Sequence, residues 1–177
     1  HISKRRRELD TILEHVQDQM MEVAVEHAVA SYREAWGSGR PALATARAGN
    51  TLGGGDFGEN RLVPDCVRAA AADSSIVLRS PDAVRPWQHV LEPLSGYLWL
   101  AARLENDKGL HGEPFNFGPT DDDGQKTVGE LIDKLMPYLG AKEKLQTSRS
   151  PSTFIESNLL QLNCEKSKNI LQWKSVL

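Results

Sequence analysis

Apolar residues fall into one helical stripe at the start of the chain and into short clusters along the rest. Over residues 3 to 36, Leu9, Leu13, Val16, Met20, Val23 and His27 recur at alternating spacings of four and three, and Ile12, Ala24 and Ala28 widen the stripe. This period predicts a single long amphipathic helix with no Gly or Pro before Gly37. The seam is close to a heptad, which suits a partner helix; packing on the chain's own domain would use the same residues. Residues 1–36 are therefore set apart as a helix and an oligomerisation element.

Gly37 to Pro41 stops that helix, and beyond it the pattern changes. Leu43 to Ala46 reads as a short strand entering the loop RAGNTLGGGDFGENR. Pro64 near a helix start leads into Val67 to Ala72, and Ile76 to Leu78 is a second strand. Pro81 to Arg85 reads as a turn. Leu91 to Leu104 is a strongly apolar helix, and Phe115 to Phe117 a third strand ending at Gly118-Pro119. Thr127 with Glu130 forms a capping box for a helix reaching Leu139. Leu159 to Leu162 fits a strand and Glu165 to Leu171 a last short helix. Residues 106–112 and 140–151 are polar and loop-like. The alternation of helices and strands predicts an α/β fold.

Composition narrows the function classes. The 177 residues carry a net charge of −3, with 40% apolar and 25% charged residues, so nothing global favours nucleic acid or a membrane surface. No apolar run approaches the roughly 18 residues of a membrane span, and the basic run Lys4 to Arg7 has no apolar stretch behind it. Cys66 and Cys164 form neither a CxxC pair nor a metal spacing, which predicts a reduced, cytoplasmic setting. The histidines lack ligand spacing, and Asp121 to Asp123 lacks the alternation of a calcium loop, so no metal is expected. No GxGxxG or GxxxxGK[ST] turn follows a strand, and no GxSxG elbow is present.

What remains is three loops that mix arginine with asparagine and glycine: Arg47 to Asn50 continuing through Gly53 to Arg61, then Arg79 to His89, then Asn116 to Pro119. The planar fork of arginine matches phosphate oxygens, and such loops at strand ends converge on an anion. Any one arginine taken singly is better explained as a solvated loop charge; it is their clustering at strand ends with Asn50 and Asn116 that counts against this.

The strings ARAGNTLGGGDFGENRLVPD, RSPDAVRPWQHVLEPLSGYLWLA and FNFGP resemble the CDP-glucose 4,6-dehydratases, members of the extended short-chain dehydrogenase/reductase family. The resemblance runs from about Val25 to Trp173 and concerns the C-terminal, sugar-nucleotide-binding half of that family. It implies an α/β fold with leftover parallel strands, and lyase chemistry in deoxysugar or lipopolysaccharide biosynthesis. In that chemistry NAD oxidises the sugar at C4, water leaves across C5 and C6, and hydride returns to C6. It also implies that Asn50, Arg61, Arg85 and Asn116 surround the diphosphate of a CDP-glucose-like substrate, with Arg79 near the nucleobase. Ala48 and Gly49 would line the floor beneath the nicotinamide, and Trp87 and His89 would pack the loop.

This chain departs from the family pattern in its first helix. Counted back from Ser31-Tyr32-Arg33, the tyrosine and lysine of the family's YxxxK fall on Asp18 and Glu22. A carboxylate in place of the lysine would raise a neighbouring pKa where the lysine lowers it. No catalytic residue is therefore assigned. The family's glycine-rich turn has no counterpart, and residues 37–177 read as a piece that stops short of the family's further helix. Two functions follow as expectations. One is the substrate-binding half of a dehydratase, inactive and without NAD on its own. The other is a non-catalytic oligomer, a homodimer or higher, joined through residues 3–33 with a vestigial nucleotide-sugar site.

Overall fold

The computed structural model describes residues 23–35, 42–78, 80–119, 124–140, 145–147 and 159–177. Most of the long helix expected from residue 3 lies outside them. Its described part, α1 (23–35), is helical as predicted.

The described residues divide into two units. One holds those up to Arg47 together with Tyr97–Phe115. Here α1 turns Glu26 to the start of β1 (Ala44–Ala48), where its carboxylate accepts the Thr45 hydroxyl at 2.8 Å and lies 3.8 Å from Arg47 Nε. Arg33 pairs with Glu113 at 3.3 Å at the start of β5 (Glu113–Phe117), the strand hydrogen-bonded to β1. Gly112, at φ +76°, lets its N–H reach the Leu43 carbonyl at 2.6 Å. Glu26 and Val29 are the partly buried residues of α1; the rest of its described length is exposed, including Val23, Ala24, His27 and Ala28 of the predicted seam.

The other unit holds Ala48–Gly96 and Asn116–Leu177. A three-stranded sheet runs in the order β2 (Asn50–Leu52), β4 (Val84–His89), β6 (Gln125–Thr127), parallel at β2–β4 and antiparallel at β4–β6. Separately, β3 (Ile76–Leu78) pairs in parallel with β7 (Leu145–Thr147). The helices α2 (Leu62–Ala71) and α4 (Val128–Leu139) enclose a core of Cys66, Leu78, Ile132 and Met136. Pro64 sits in the first turn of α2, where its missing N–H has no intrahelical acceptor to lose. The α/β class with parallel strands is thus as expected.

The capping box is present in full. Thr127 Oγ1 accepts Glu130 N–H at 3.0 Å, Glu130 accepts Thr127 N–H at 2.7 Å, and Gly140 closes α4 in the left-handed region. Two local expectations are corrected. Pro81 to Arg85 is a turn only to Ala83, because Val84–His89 is the central strand of the sheet. Pro86 is tolerated there because the β2 ladder begins one residue later, at Trp87. Leu159 makes only an isolated parallel bridge to Val84, not a strand to Leu162.

Candidate functional site

The second unit gathers Ala48, Gly49, Asn50, Arg61, Arg85 and Asn116, whereas Arg79 lies outside the described residues. Asn50 opens β2 and is registered with Trp87 of β4. Arg85 stands two positions earlier on the same strand, so the period of two puts Asn50, Trp87 and Arg85 on one face of the sheet. Arg85 is only 8% exposed, and its guanidinium donates to the Val84 carbonyl at 2.8 Å.

One carbonyl ties the surrounding strand ends together. Phe117 O accepts Gly49 N–H at 3.2 Å and the Gln88 side-chain amide at 2.9 Å. Behind it, the Phe117 ring meets Trp173 edge-on at 5.0 Å, and a Cβ on Gly96 would lie 2.2 Å from that ring. Trp173 in turn donates to Ser95 Oγ at 3.0 Å. In the first turn of α3 (Leu91–Asn106), the buried Glu92 carboxyl accepts the backbone N–H groups of Val176 and Leu177 at 2.8 and 2.5 Å.

Asn116 is bonded to the last described segment: its amide donates to the Asn163 carbonyl at 2.9 Å, and its own main-chain carbonyl accepts Ser167 Oγ at 2.5 Å. Its side-chain oxygen is buried without a partner among the described residues. Asn163 lines an open pocket of about 230 Å³ with Pro119, Leu162, Cys164, Glu165 and Lys168. Burial pushes the Cys164 thiol up, against a smaller opposing effect of the Gly118 N–H, and burial likewise raises Cys66. Both thiols are free. Neither is disposed to act as a thiolate nucleophile.

Arg61 is held elsewhere. It occupies the N-cap of α2, is exposed, and pairs with Asp56 at 3.2 Å. The Gly58 N–H, with the Arg61 guanidinium in support, keeps the Asp56 carboxyl below its ordinary range. The geometry therefore puts Asn50 and Arg85 on one face of the sheet, sets Asn116 one residue from the shared Phe117 carbonyl, and leaves Arg61 on a loop ion pair.

Ala48 ends β1, and Gly49 links it to β2. The space beside Gly49 is filled by Pro86, whose carbonyl would lie 2.6 Å from a Cβ, and the Gly49 N–H is already donated to Phe117. Glycine is required there by packing between β2 and β4. Trp87 lies in β4, and its indole N–H donates to the Lys126 carbonyl at 2.9 Å. Lys126 itself, directly opposite Arg85 on β6, was not predicted. Only the pairing register reveals it, because residues 125–127 are too few to show a period. Among the described residues no group of His, Cys, Asp and Glu could hold a metal, and no helix is long and apolar enough to cross a membrane.

No protein-family model matches the chain. By sequence it is 42% identical over 133 residues to CDP-glucose 4,6-dehydratase of Salmonella typhimurium, which covers 74% of this chain and 36% of that protein. By fold it is similar to dTDP-glucose 4,6-dehydratase of Streptomyces venezuelae with NAD and TYD bound, at TM-score 0.69 and 19% identity, covering 86% of this chain and 44% of the other. The Bacillus anthracis dTDP-glucose 4,6-dehydratase in complex with NAD gives TM-score 0.65 at 23% identity, covering 84% and 43%. UDP-glucuronic acid 4-epimerase of Bacillus cereus, in complex with UDP-glucuronic acid and NAD, gives 0.69 at 16%, covering 86% and 45%. The chain spans about a third of the curated relative and less than half of these structures. Its fold is that of part of an extended short-chain dehydrogenase, and its resemblance to CDP-glucose 4,6-dehydratase is one of sequence as well.

Proposed function

We infer, for a chain related to CDP-glucose 4,6-dehydratase over most of its length, that it supplies the part of such an enzyme that grips a nucleotide diphosphate sugar. The observation that carries this is Arg85, a nearly buried cation sharing one sheet face with Asn50. A guanidinium so placed offers paired donors to phosphate oxygens with little solvent to compete. Asn50 and Asn116 fix orientation more than affinity. Arg61, exposed and paired with Asp56, contributes less, because solvent and the ion pair both compete with a ligand. Arg79, which lies outside the described residues, is assigned to the nucleobase end by the family resemblance alone.

Calorimetric titration with CDP-glucose tests the reading. A charge-assisted contact is worth roughly 1.5 to 3 kcal/mol, so Arg85→Ala is expected to weaken binding about tenfold or more. Equal affinity in the parent and in Arg85→Ala would overturn it. Chemistry is not assigned to this chain. With Asp18 and Glu22 where the resemblance puts tyrosine and lysine, it lacks the acid-base pair, and the chain alone should neither hold NAD tightly nor turn over CDP-glucose. Formation of a 4-keto-6-deoxy sugar by the chain alone would refute that.

A second reading is favoured by α1. Its seam residues Val23 and His27 are exposed rather than packed on the described residues, as a self-association helix requires. We propose self-association through residues 3–33. Leu13→Asp with Val16→Asp should reduce the mass measured by light scattering, and an unchanged mass in a folded protein would exclude this interface.

A further inference from the structure

Gln88 is a buried polar side chain whose bonding is half satisfied. It is 7% exposed, and its amide Nε2 donates to the Phe117 carbonyl at 2.9 Å. Its amide oxygen is buried without a partner among the described residues. A buried acceptor left unmet costs at least as much as one amide hydrogen bond returns. Folding stability therefore gives no reason for an amide at this position, and an apolar side chain of the same length would fill the space without the cost.

What the amide does is join segments that no strand ladder joins. Phe117 ends β5, which is not a member of the three-stranded sheet that holds β4. Gln88 reaches it from β4, and the Gly49 N–H meets the same carbonyl from the β1–β2 junction at 3.2 Å. A carbonyl has two lone pairs, so one oxygen can hold both donors. The parts that meet there have little freedom. The Phe117 ring is fully buried against Trp173 and Gly96, and Pro86 leaves no room for a Cβ on Gly49. Asn50 follows Gly49, Asn116 precedes Phe117, and Arg85 stands three residues before Gln88 on β4. That odd separation puts Gln88 on the sheet face opposite Arg85, so it acts on a ligand held there only through its neighbours.

We propose that Gln88 is a positioning residue, which through the Phe117 carbonyl sets Asn50 and Asn116 relative to each other and to β4. Binding groups need their supports fixed to within about 0.5 Å, and a buried amide bonded to a buried carbonyl is such a support. The proposal rests on the sugar-nucleotide reading for what the two asparagines then bind, and not for the joint itself.

Gln88→Met in the full 177-residue chain removes the donor and the unmet acceptor together and keeps the side chain's length. Its denaturation midpoint should hold or rise. The side-chain amide resonances of Asn50 and Asn116 should shift, and CDP-glucose should bind about tenfold more weakly by calorimetry. A lowered midpoint would overturn the proposal, since it marks a residue kept for structural support. Unmoved asparagine resonances in the folded variant would overturn it as well. Gln88→Leu replaces the methionine variant if that one fails to fold. If CDP-glucose binds through Arg85 and Gln88→Met binds it equally well, the sugar-nucleotide reading survives and the positioning role does not. If the parent binds no CDP-glucose, that reading falls and the resonances alone decide: shifts at both asparagines uphold the joint, and their absence refutes it.

Discussion

The helices α4 and α3 begin alike and are used differently. Each has a glutamate in its first turn, Glu130 in one and Glu92 in the other. Glu130 stays at the surface and closes a capping box, and behind it Ile132 and Met136, four residues apart, are buried against α2 and β3. Glu92 is buried and binds main chain more than eighty residues away. On α3, Leu91, Leu94 and Trp99 are exposed, and Leu98 is 74% exposed. Local sequence specifies where a helix starts and stops. What covers its apolar face depends on what else is present, and the described residues satisfy α4 while leaving one side of α3 open.

The largest effect should come from the satisfied helix. Ile132→Ala removes a fully buried side chain, and unfolding in denaturant should show a loss of about 2 to 5 kcal/mol. If the loss were under about 1 kcal/mol, the α2–α4 core would not be the better-built region. Next comes the committed side of α3. Gly96→Ala would push a methyl into the Phe117 ring, and overpacking of this kind costs about 1 to 3 kcal/mol. Near-UV circular dichroism of the Phe117–Trp173 pair should change with it.

A smaller effect tests the cap. Thr127→Ala should cost about 1 kcal/mol. The glutamate side of the box carries a pH signature. The folded Glu130 carboxyl lies below its ordinary value of 4.5, so its contribution is present above pH 4.5 and is lost as pH falls through the folded value. Glu130→Gln should flatten stability against pH in that acid window alone. Smallest of all, Leu98→Gln should shift stability by no more than about 0.5 kcal/mol in either direction. A large loss there would mean that α3 has a cover on its open side, and the contrast between the two helices would disappear.

Legibility from sequence followed the same division. The box at Thr127 and Glu130, the stop at Gly140 and the helix from Leu91 are local signals, and each stands where the residues say. The strand Val84–His89 was hidden by Pro81 and Pro86, since proline ordinarily argues against a central strand. The three-residue strands at Asn50, Gln125 and Leu145 carry too few positions for a period to show. For the candidate site, residue type singled out Asn50 and Arg85, and the fold places them on one face. Residue type could not foresee that Arg61 would be taken by Asp56, nor that a lysine some forty residues on would face Arg85. The first depends on how a single loop folds back on itself, the second on pairing between distant strands.

The two bonds at Glu92 have a last consequence, because they read backbone and not sequence. Val176 and Leu177 expose their side chains and offer only their N–H groups. Almost any pair of residues could therefore be fastened there, and drift in composition would go unpunished. Proline alone is barred, since it has no N–H to give. The segment is anchored with great tolerance for what it is made of and none for the loss of its amides.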